Sequence, residues 1–187
     1  MAGVVCYPEV SKPKVEFFEV VHQRRSIRKF TPKAVEESEL RKILEAVNRA
    51  PSAGNLQAYQ IFVVKDPKVQ ESLARASGGQ RAVVEAPVVL VFCAEPARSA
   101  QKYGSRGEQL YCIQDATIAC NYAQLAATAL GLATVWIGAV FEMETVRENL
   151  KITEDLWPIA LLPIGYPAER PKLTSRRPLK ELAHPVH

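Results

Sequence analysis

Residues 24–28 place three guanidinium groups and one hydroxyl within five positions: Arg24, Arg25, Ser26 and Arg28. Arginine suits phosphate, because its planar fork donates paired hydrogen bonds and keeps its charge. The segment therefore indicates a site for an anionic ligand. The alternative is a basic helix end that faces solvent.

A second polar segment, residues 51–57, follows after one helical stretch. It carries a turn-forming proline, a hydroxyl and two carboxamides: Pro51, Ser52, Asn55 and Gln57. A carboxamide presents a donor and an acceptor side by side, which suits a heterocycle with alternating N–H and C=O groups. By itself, each segment could be ordinary protein surface. Together they predict a site for a phosphorylated, ring-bearing cofactor.

In this order the two segments resemble the opening motifs of the FMN-dependent nitroreductase family, Arg-(Arg/His)-Ser-x-(Arg/Lys) and Pro-Ser-x-x-Asn-x-Gln. The likeness continues through residues 131–138, 163–167 and 176–179, and it covers nearly the whole chain. One departure is Ala58-Tyr59, where the family usually has Pro-Trp. This departure affects the stiffness of the turn rather than its polar groups.

The resemblance implies that the cofactor is FMN, and it assigns roles to the arginine segment. Arg24 and Ser26 would contact phosphate or ribityl oxygens, and Arg28 would lie near the N1–O2 edge of the ring. A positive group at that edge favours the reduced flavin, because reduction places negative charge there. Arg25 is a further phosphate or ribityl partner, with a solvent-facing charge as its alternative.

The resemblance assigns the second segment to the ring. Asn55 and Gln57 would bind the ring edge and the ribityl chain, and Pro51 and Ser52 would shape the pocket. All four residues thus become expected parts of the cofactor site.

Residues 136–139 match the family segment that faces flavin N5. Ile137 lies within it, and the backbone N–H groups of Gly138 and Ala139 are its expected donors. Trp136 would cover a ring face, or else it is a core tryptophan of a buried strand. Relatives often carry an acidic residue here and this chain has none, which bears on redox potential and nicotinamide contacts.

Near the C-terminus, the resemblance makes Arg176 or Arg177 the residue that completes the phosphate clamp. Arg176 is favoured, because it lies at the matching distance from residues 178–182. Thr174 stands where some members carry a lysine, and Lys172 could substitute for it.

Length and composition indicate one globular domain over residues 1–187, with 48% hydrophobic and 24% charged residues. The net charge of +4 is compatible with an anionic small ligand. It is too small and too dispersed for a nucleic-acid surface.

The cysteines show neither a CxxC pair nor even spacing: Cys6, Cys93, Cys112 and Cys120. No signal peptide is recognisable at the start of the chain, so free thiols in a reducing cytoplasm are expected. Cys112 and Cys120 are eight positions apart and share a helix face. Buried small hydrophobes are the preferred interpretation for them, and redox chemistry is the alternative.

Two further kinds of function have little support in the sequence. The histidines His22, His184 and His187 form no metal pattern, and no Ser-His-Asp or Cys-His arrangement is apparent. Residues 118–140 are apolar but are interrupted by polar residues and a glycine, so they favour a buried helix and strand over a membrane span.

Hydrophobic periodicity predicts helices over residues 15–23, 38–50, 67–77, 110–130 and 142–150. The longest of them is expected at the centre of the domain. Residues 96–109 are polar and contain two glycines, which predicts a mobile loop.

Strands are predicted over residues 59–65, 88–94, 133–137 and 159–164. The continuous apolar run at 88–94 is typical of a central strand buried on both faces. Repeated prolines make the C-terminal segment an extended strap.

This order of elements predicts an α+β fold, and a doubly wound parallel sheet is the alternative. No glycine-rich loop follows a strand, which argues against a Rossmann dinucleotide site. The resemblance adds a nitroreductase-like mixed β-sheet surrounded by helices around a long central helix. It also implies an intertwined homodimer with the flavin at the subunit interface.

The expected function is an FMN-dependent oxidoreductase that uses NAD(P)H in ping-pong fashion to reduce nitroaromatics, quinones or similar conjugated electrophiles. No catalytic side chain is required, since flavin carries the reactivity and Arg28 tunes it. The alternatives are a family relative with other flavin chemistry, such as flavin cleavage or reductive dehalogenation, and a non-enzymatic flavin-binding protein.

Overall fold

The computed structural model describes residues 16–140 and 142–186 of the chain. In this part the helices are Phe17–Gln23 (α1), Glu37–Val47 (α2), Pro67–Ala76 (α3), Arg81–Glu85 (α4), Pro96–Arg106 (α5), Cys112–Ala129 (α6) and Met143–Leu150 (α7). A π-helical turn, Gly107–Tyr111, joins α5 to α6, and Ala53–Asn55 and Leu179–Glu181 form 3-10 turns. Residue 15 of the first predicted helix lies outside the described residues, as do Cys6 and His187.

The strands Tyr59–Val64 (β1), Val88–Ala94 (β2), Ala133–Thr134 (β3) and Trp157–Gly165 (β4) form one sheet in the order β1-β2-β4-β3. Neighbouring strands in this sheet are antiparallel. A parallel bridge joins Ser26 to Thr134 and brings the arginine segment to the edge of β3. The α+β prediction is confirmed, and the doubly wound parallel sheet is not what the described chain forms.

Strand β2 divides the core into two layers. Its seven residues are all buried, as the continuous apolar run predicted. Val89, Val91 and Cys93 pack with the layer formed by α3, α4 and α7, whereas Leu90 and Phe92 pack with the layer of α2 and α6. Alternate side chains of one strand therefore hold helices on both faces of the sheet.

Helix α6 lies against the sheet through small side chains. Ala116, Ala119, Cys120, Ala123 and Ala127 are all fully buried. Because these side chains are small, the helix backbone can approach the sheet closely. The prediction of a long central helix is confirmed. Among the described residues, no helix is long and apolar enough to cross a membrane.

The predicted mobile loop at residues 96–109 is wrong, because α5 and the start of the π-helical turn occupy it. Pro96 sits in the first turn, where a proline is tolerated, and Ser99 is buried. Gly104 has a φ of 56°, which kinks the segment without ending it. The polar composition belongs to a surface helix, not to a loop.

Two other assignments differ from the prediction. Of the strand predicted at residues 133–137, only Ala133–Thr134 is regular, and Ile137 adds an isolated bridge to Leu161. The short helix α4 was not predicted from the sequence. Residues 169–178 contain neither helix nor strand, in keeping with the predicted strap.

We expect Gly107→Ala to destabilise the fold, because a Cβ there would lie 2.5 Å from the carbonyl oxygen of Ser99 and 2.9 Å from Cβ of Tyr103. Overpacking of this kind costs about 1–3 kcal/mol of unfolding free energy. The melting temperature should fall by roughly 2–4 °C per kcal/mol in a chain of this size. Ser105→Ala, at an exposed position of α5, is the control. Equal melting temperatures for both variants would contradict the close packing of α5 on the π-helical turn.

Candidate functional site

A cavity of about 790 Å³ gathers the arginine segment, one face of α1 and the C-terminal strap. We call it the basic cavity; its lining residues are Phe18, Val21, His22, Arg24, Arg25, Ser26, Arg28, Pro171, Lys172, Leu173, Thr174 and Arg176. Five of these residues are arginine or lysine, and none is acidic. The lining therefore creates a strongly positive potential in a concave site.

The arginine segment is fixed by its backbone. The N–H of Ile27 donates to the carbonyl of Thr134 at 3.0 Å, and the Ile27 side chain is buried in the core. A carboxylate oxygen of Glu169 accepts from the N–H groups of Arg28 and Lys29 at 2.6 and 3.2 Å. Because the chain is extended here, residues on either side of Ile27 project the other way and line the basic cavity.

Within the described chain, none of the five basic side chains of the cavity forms an ion pair. Arg25 donates from Nη1 to the carbonyl of Gln23 at 2.6 Å, while its Nε is buried without a partner. A buried donor without a partner is costly, and an anion with several acceptor oxygens would satisfy it. The donor set thus fits a phosphate group.

The two C-terminal arginines have different surroundings. Arg176 lines the basic cavity and donates to the hydroxyl of Thr174 at 2.7 Å. Arg177 donates instead to the carbonyl of Glu181 at 3.0 Å and pairs with its carboxylate at 3.5 Å. This placement favours Arg176 over Arg177 as a ligand residue of the cavity.

The carboxamide loop, residues 51–57, satisfies its own polar groups. The backbone N–H and Nε2 of Gln57 donate to the hydroxyl of Ser52 at 3.0 and 3.4 Å. Nε2 of Gln57 also lies 2.6 Å from Oδ1 of Asn55. Gly54, Asn55 and Gln57 have positive φ angles of 57°, 58° and 45°. The loop is therefore a compact turn with an unusual backbone.

Two side chains from residues distant in sequence form hydrogen bonds with this loop. Oδ1 of Asp115, in α6, accepts from the N–H of Ala53 at 2.8 Å, and Nε of Arg98, in α5, donates to the carbonyl of Leu56 at 2.6 Å. Burial raises the pKa of Asp115, although the Ala53 hydrogen bond opposes this. Sequence reasoning missed both residues; the available signal was that Asp115 is the one charged residue in the apolar α6.

A second cavity of about 510 Å³ adjoins the loop and includes Pro51, Ser52, Tyr111 and Asp115 in its lining. It shares no lining residue with the basic cavity. Among the described residues, these two cavities therefore keep the arginine segment and the carboxamide loop apart.

The segment 136–139 lines neither cavity. Ile137 exchanges backbone hydrogen bonds with Leu161 at 3.0 and 2.9 Å, and its side chain lies in the core. Trp136 is half-buried against the α6 layer, Gly138 is exposed and Ala139 is half-buried. In one chain, Trp136 is thus a partly buried tryptophan at the margin of the core.

A third cavity, of about 480 Å³, extends the site beyond the arginine segment. It shares Ser26, Arg28 and Pro171 with the basic cavity and adds Gln80 and Glu169, among others. Sequence reasoning overlooked both added residues, because no local motif marks Gln80 and because Glu169 acts through backbone groups far away in sequence.

The described cysteines are not suited to nucleophilic chemistry. Cys93, Cys112 and Cys120 are free and fully buried. Burial raises the pKa of the Cys93 thiol to about 12, and it also raises the pKa of Cys112 and Cys120. The preferred interpretation of Cys112 and Cys120 as buried small hydrophobes is confirmed. The described residues contain no cluster of metal-ligating side chains.

Comparison with known proteins shows which family the chain matches. The profile of the nitroreductase family matches residues 21–83 and 71–166. The chain is 34% identical to a protein of Thermus thermophilus named NADH dehydrogenase, covering 93% of this chain and 98% of that one. It is 33% identical to an FMN reductase [NAD(P)H] of Bacillus subtilis, covering 90% of this chain and 73% of the relative.

Solved structures agree with these matches. The hypothetical oxidoreductase YcnD of Bacillus subtilis superposes with a TM-score of 0.84 at 32% identity, over 90% of this chain and 72% of that one. The NADPH:FMN oxidoreductase of Vibrio harveyi, complexed with NAD+, also gives 0.84, at 28% identity, over 91% of this chain and 77% of that one.

Proposed function

The chain belongs to the nitroreductase family and is a flavin oxidoreductase that uses FMN and NAD(P)H, and we propose that it reduces nitroaromatics, quinones or similar conjugated electrophiles in ping-pong fashion. The observation that carries the proposal is the basic cavity, with five arginine or lysine residues and no acidic residue in its lining. Such a lining suits the terminal phosphate of FMN.

The residues of the basic cavity divide into two roles in this proposal. Arg24, Arg25, Ser26 and Arg176 hold the phosphate and ribityl oxygens, and Arg28 supplies positive charge at the N1–O2 edge of the ring. The unpartnered Nε of Arg25 supports the first role. When bound, FMN supplies the two-electron chemistry, and the protein contributes binding, orientation and charge.

We infer that the working unit is an intertwined homodimer with FMN at the subunit interface. Residues 51–53 of the carboxamide loop line a cavity separate from the basic cavity, and Asn55 and Gln57 line neither, so a second copy would be needed to bring both motifs to one cofactor. Large apolar side chains are exposed on α1 and the strap, including Phe18, Leu179 and Leu182 at 85%, 80% and 56%. Such exposed apolar surface supports burial against a partner.

In this dimer, Asn55 and Gln57 bind the ring edge and ribityl chain, Pro51 and Ser52 shape the pocket, and residues 136–139 lie beside N5. In the proposed ping-pong order, NAD(P)H reduces the flavin and leaves, and the acceptor then enters the same place. We propose that the whole chain is one such domain and that it works in the cytoplasm. The free thiols of its described cysteines are consistent with a reducing compartment.

The function test uses the purified protein. Cofactor released by heat should run as FMN, and the loaded protein should oxidise NAD(P)H faster when menadione or a nitroaromatic is added. Double-reciprocal plots at several fixed acceptor concentrations should be parallel, as ping-pong order requires. Released FAD, or protein that stays colourless after incubation with FMN, would refute the proposal. Intersecting lines would refute the ping-pong order alone.

The phosphate assignment predicts that Arg24→Ala and Arg176→Ala each weaken FMN binding by roughly 1.5–3 kcal/mol, the scale of a hydrogen bond to a charged group. Quenching of FMN fluorescence measures the dissociation constant. Arg177→Ala is the matched control, since Arg177 pairs with Glu181 outside the basic cavity. If all three variants bind FMN as the parent does, the cavity is not the phosphate site.

The role of Arg28 predicts a change in redox potential. Arg28→Gln keeps hydrogen-bonding capacity but removes the charge, so the reduced cofactor should lose more affinity than the oxidised one. A differential loss of about 1.4 kcal/mol lowers the midpoint potential by roughly 30 mV for a two-electron couple. Reduction by NAD(P)H should slow in the same variant. An unchanged potential in FMN-saturated protein would remove Arg28 from the site.

A further inference from the structure

The carboxamide loop contains one residue in a backbone conformation that its side chain does not favour. Gly54, Asn55 and Gln57 have left-handed φ angles of 57°, 58° and 45°. Glycine and asparagine tolerate this region, whereas glutamine there is strained by about 1–3 kcal/mol. Such a backbone persists only where the surrounding structure imposes it.

Helix α6 supplies one restraint, through Asp115. The side chain is only 2% exposed, and its Oδ1 accepts from the N–H of Ala53, at the start of the 3-10 turn. The other oxygen, Oδ2, is buried without a partner. A buried carboxylate with one unsatisfied oxygen costs stability, and what it supplies in return is the hydrogen bond that fixes Ala53.

Helix α5 supplies a second restraint at the other end of the turn. Nε of Arg98 donates to the carbonyl of Leu56 at 2.6 Å. Between the two restraints, the side chains of Lys102 and Tyr103 cover Gly54, where a Cβ would lie 2.5 Å from the Tyr103 hydroxyl. The turn is thus held at both ends and covered in the middle by α5 and α6.

We propose that Arg98 and Asp115, here called the loop bracket, are positioning residues that impose the conformation in which the carboxamide loop binds the flavin. The inference rests on the proposed function, since it assigns the loop to FMN. The loop bracket itself acts within the chain: it fixes Ala53 and Leu56, and the turn between them then presents Asn55 and Gln57.

The first measurement needs no cofactor. In the apo-protein, hydrogen exchange of a peptide covering residues 52–59 reports on the N–H groups of Ala53, Asn55, Leu56 and Gln57, all hydrogen-bonded in the turn. Asp115→Ala and Arg98→Ala should each speed this exchange about tenfold or more, without comparable changes in α3 or β2. Asp115→Asn should restore protection, because its amide oxygen can still accept from Ala53.

The second measurement is FMN affinity in a double-mutant cycle. Each alanine variant should raise the FMN dissociation constant about tenfold, the double variant should be less than additive because both act on one loop, and Asp115→Asn should rescue. Asn121→Ala in α6 and Gln101→Ala in α5 are controls at exposed positions that line neither cavity of the site. Arg98 is exposed, so its variant should fold even if Asp115→Ala does not.

Parent-like loop exchange and FMN affinity in Arg98→Ala and in folded Asp115→Ala would overturn the proposal. So would effects that follow only a general loss of melting temperature and are not rescued by asparagine. Failure of the proposed function looks different: loop exchange would still respond to the variants, while neither they nor Arg24→Ala would change FMN binding.

Discussion

The complete burial of β2 is the constraint on which the rest of the structure depends. Since both faces of the strand are covered by helices, the chain must place its polar segments at the margins of the sheet. The arginine segment reaches one margin by pairing Ile27 with Thr134, at the edge of β3. The carboxamide loop lies at the opposite edge, because it leads directly into β1. The separation of the two motifs within one chain follows from the strand order.

The two separated motifs also rely on different physical interactions. The basic cavity relies on charge, and its side chains are left without ion-pair partners among the described residues. The carboxamide loop relies on shape, and its polar groups are largely satisfied by one another and by Asp115 and Arg98. A charged site can remain open and solvated until an anion arrives, whereas a loop that is already ordered loses less conformational entropy when it binds a ligand.

The sequence predicted the α+β class, the buried central strand and the long helix, because each depends on local periodicity or on an unbroken apolar run. It also singled out the arginine segment and the carboxamide loop. It failed at residues 96–109, since a polar surface helix and a polar loop have similar composition. It gave no signal for Arg98 or Glu169 and only the isolated charge of Asp115 in α6, because the bonds of Asp115, Arg98 and Glu169 to the two segments join residues 62, 42 and 141 positions apart. Such contacts depend on tertiary structure.

The two kinds of site have different consequences for the apo-protein. Cations that line an open cavity are largely solvated, so their mutual repulsion costs little. A ligand that binds them still stabilises the folded state by mass action. The buried Asp115 is different, because its charge is withdrawn from water whether or not a ligand is present. If the proposed assignment holds, the free-energy cost of ordering the carboxamide loop falls on folding, whereas the cations of the basic cavity contribute only when the cofactor binds.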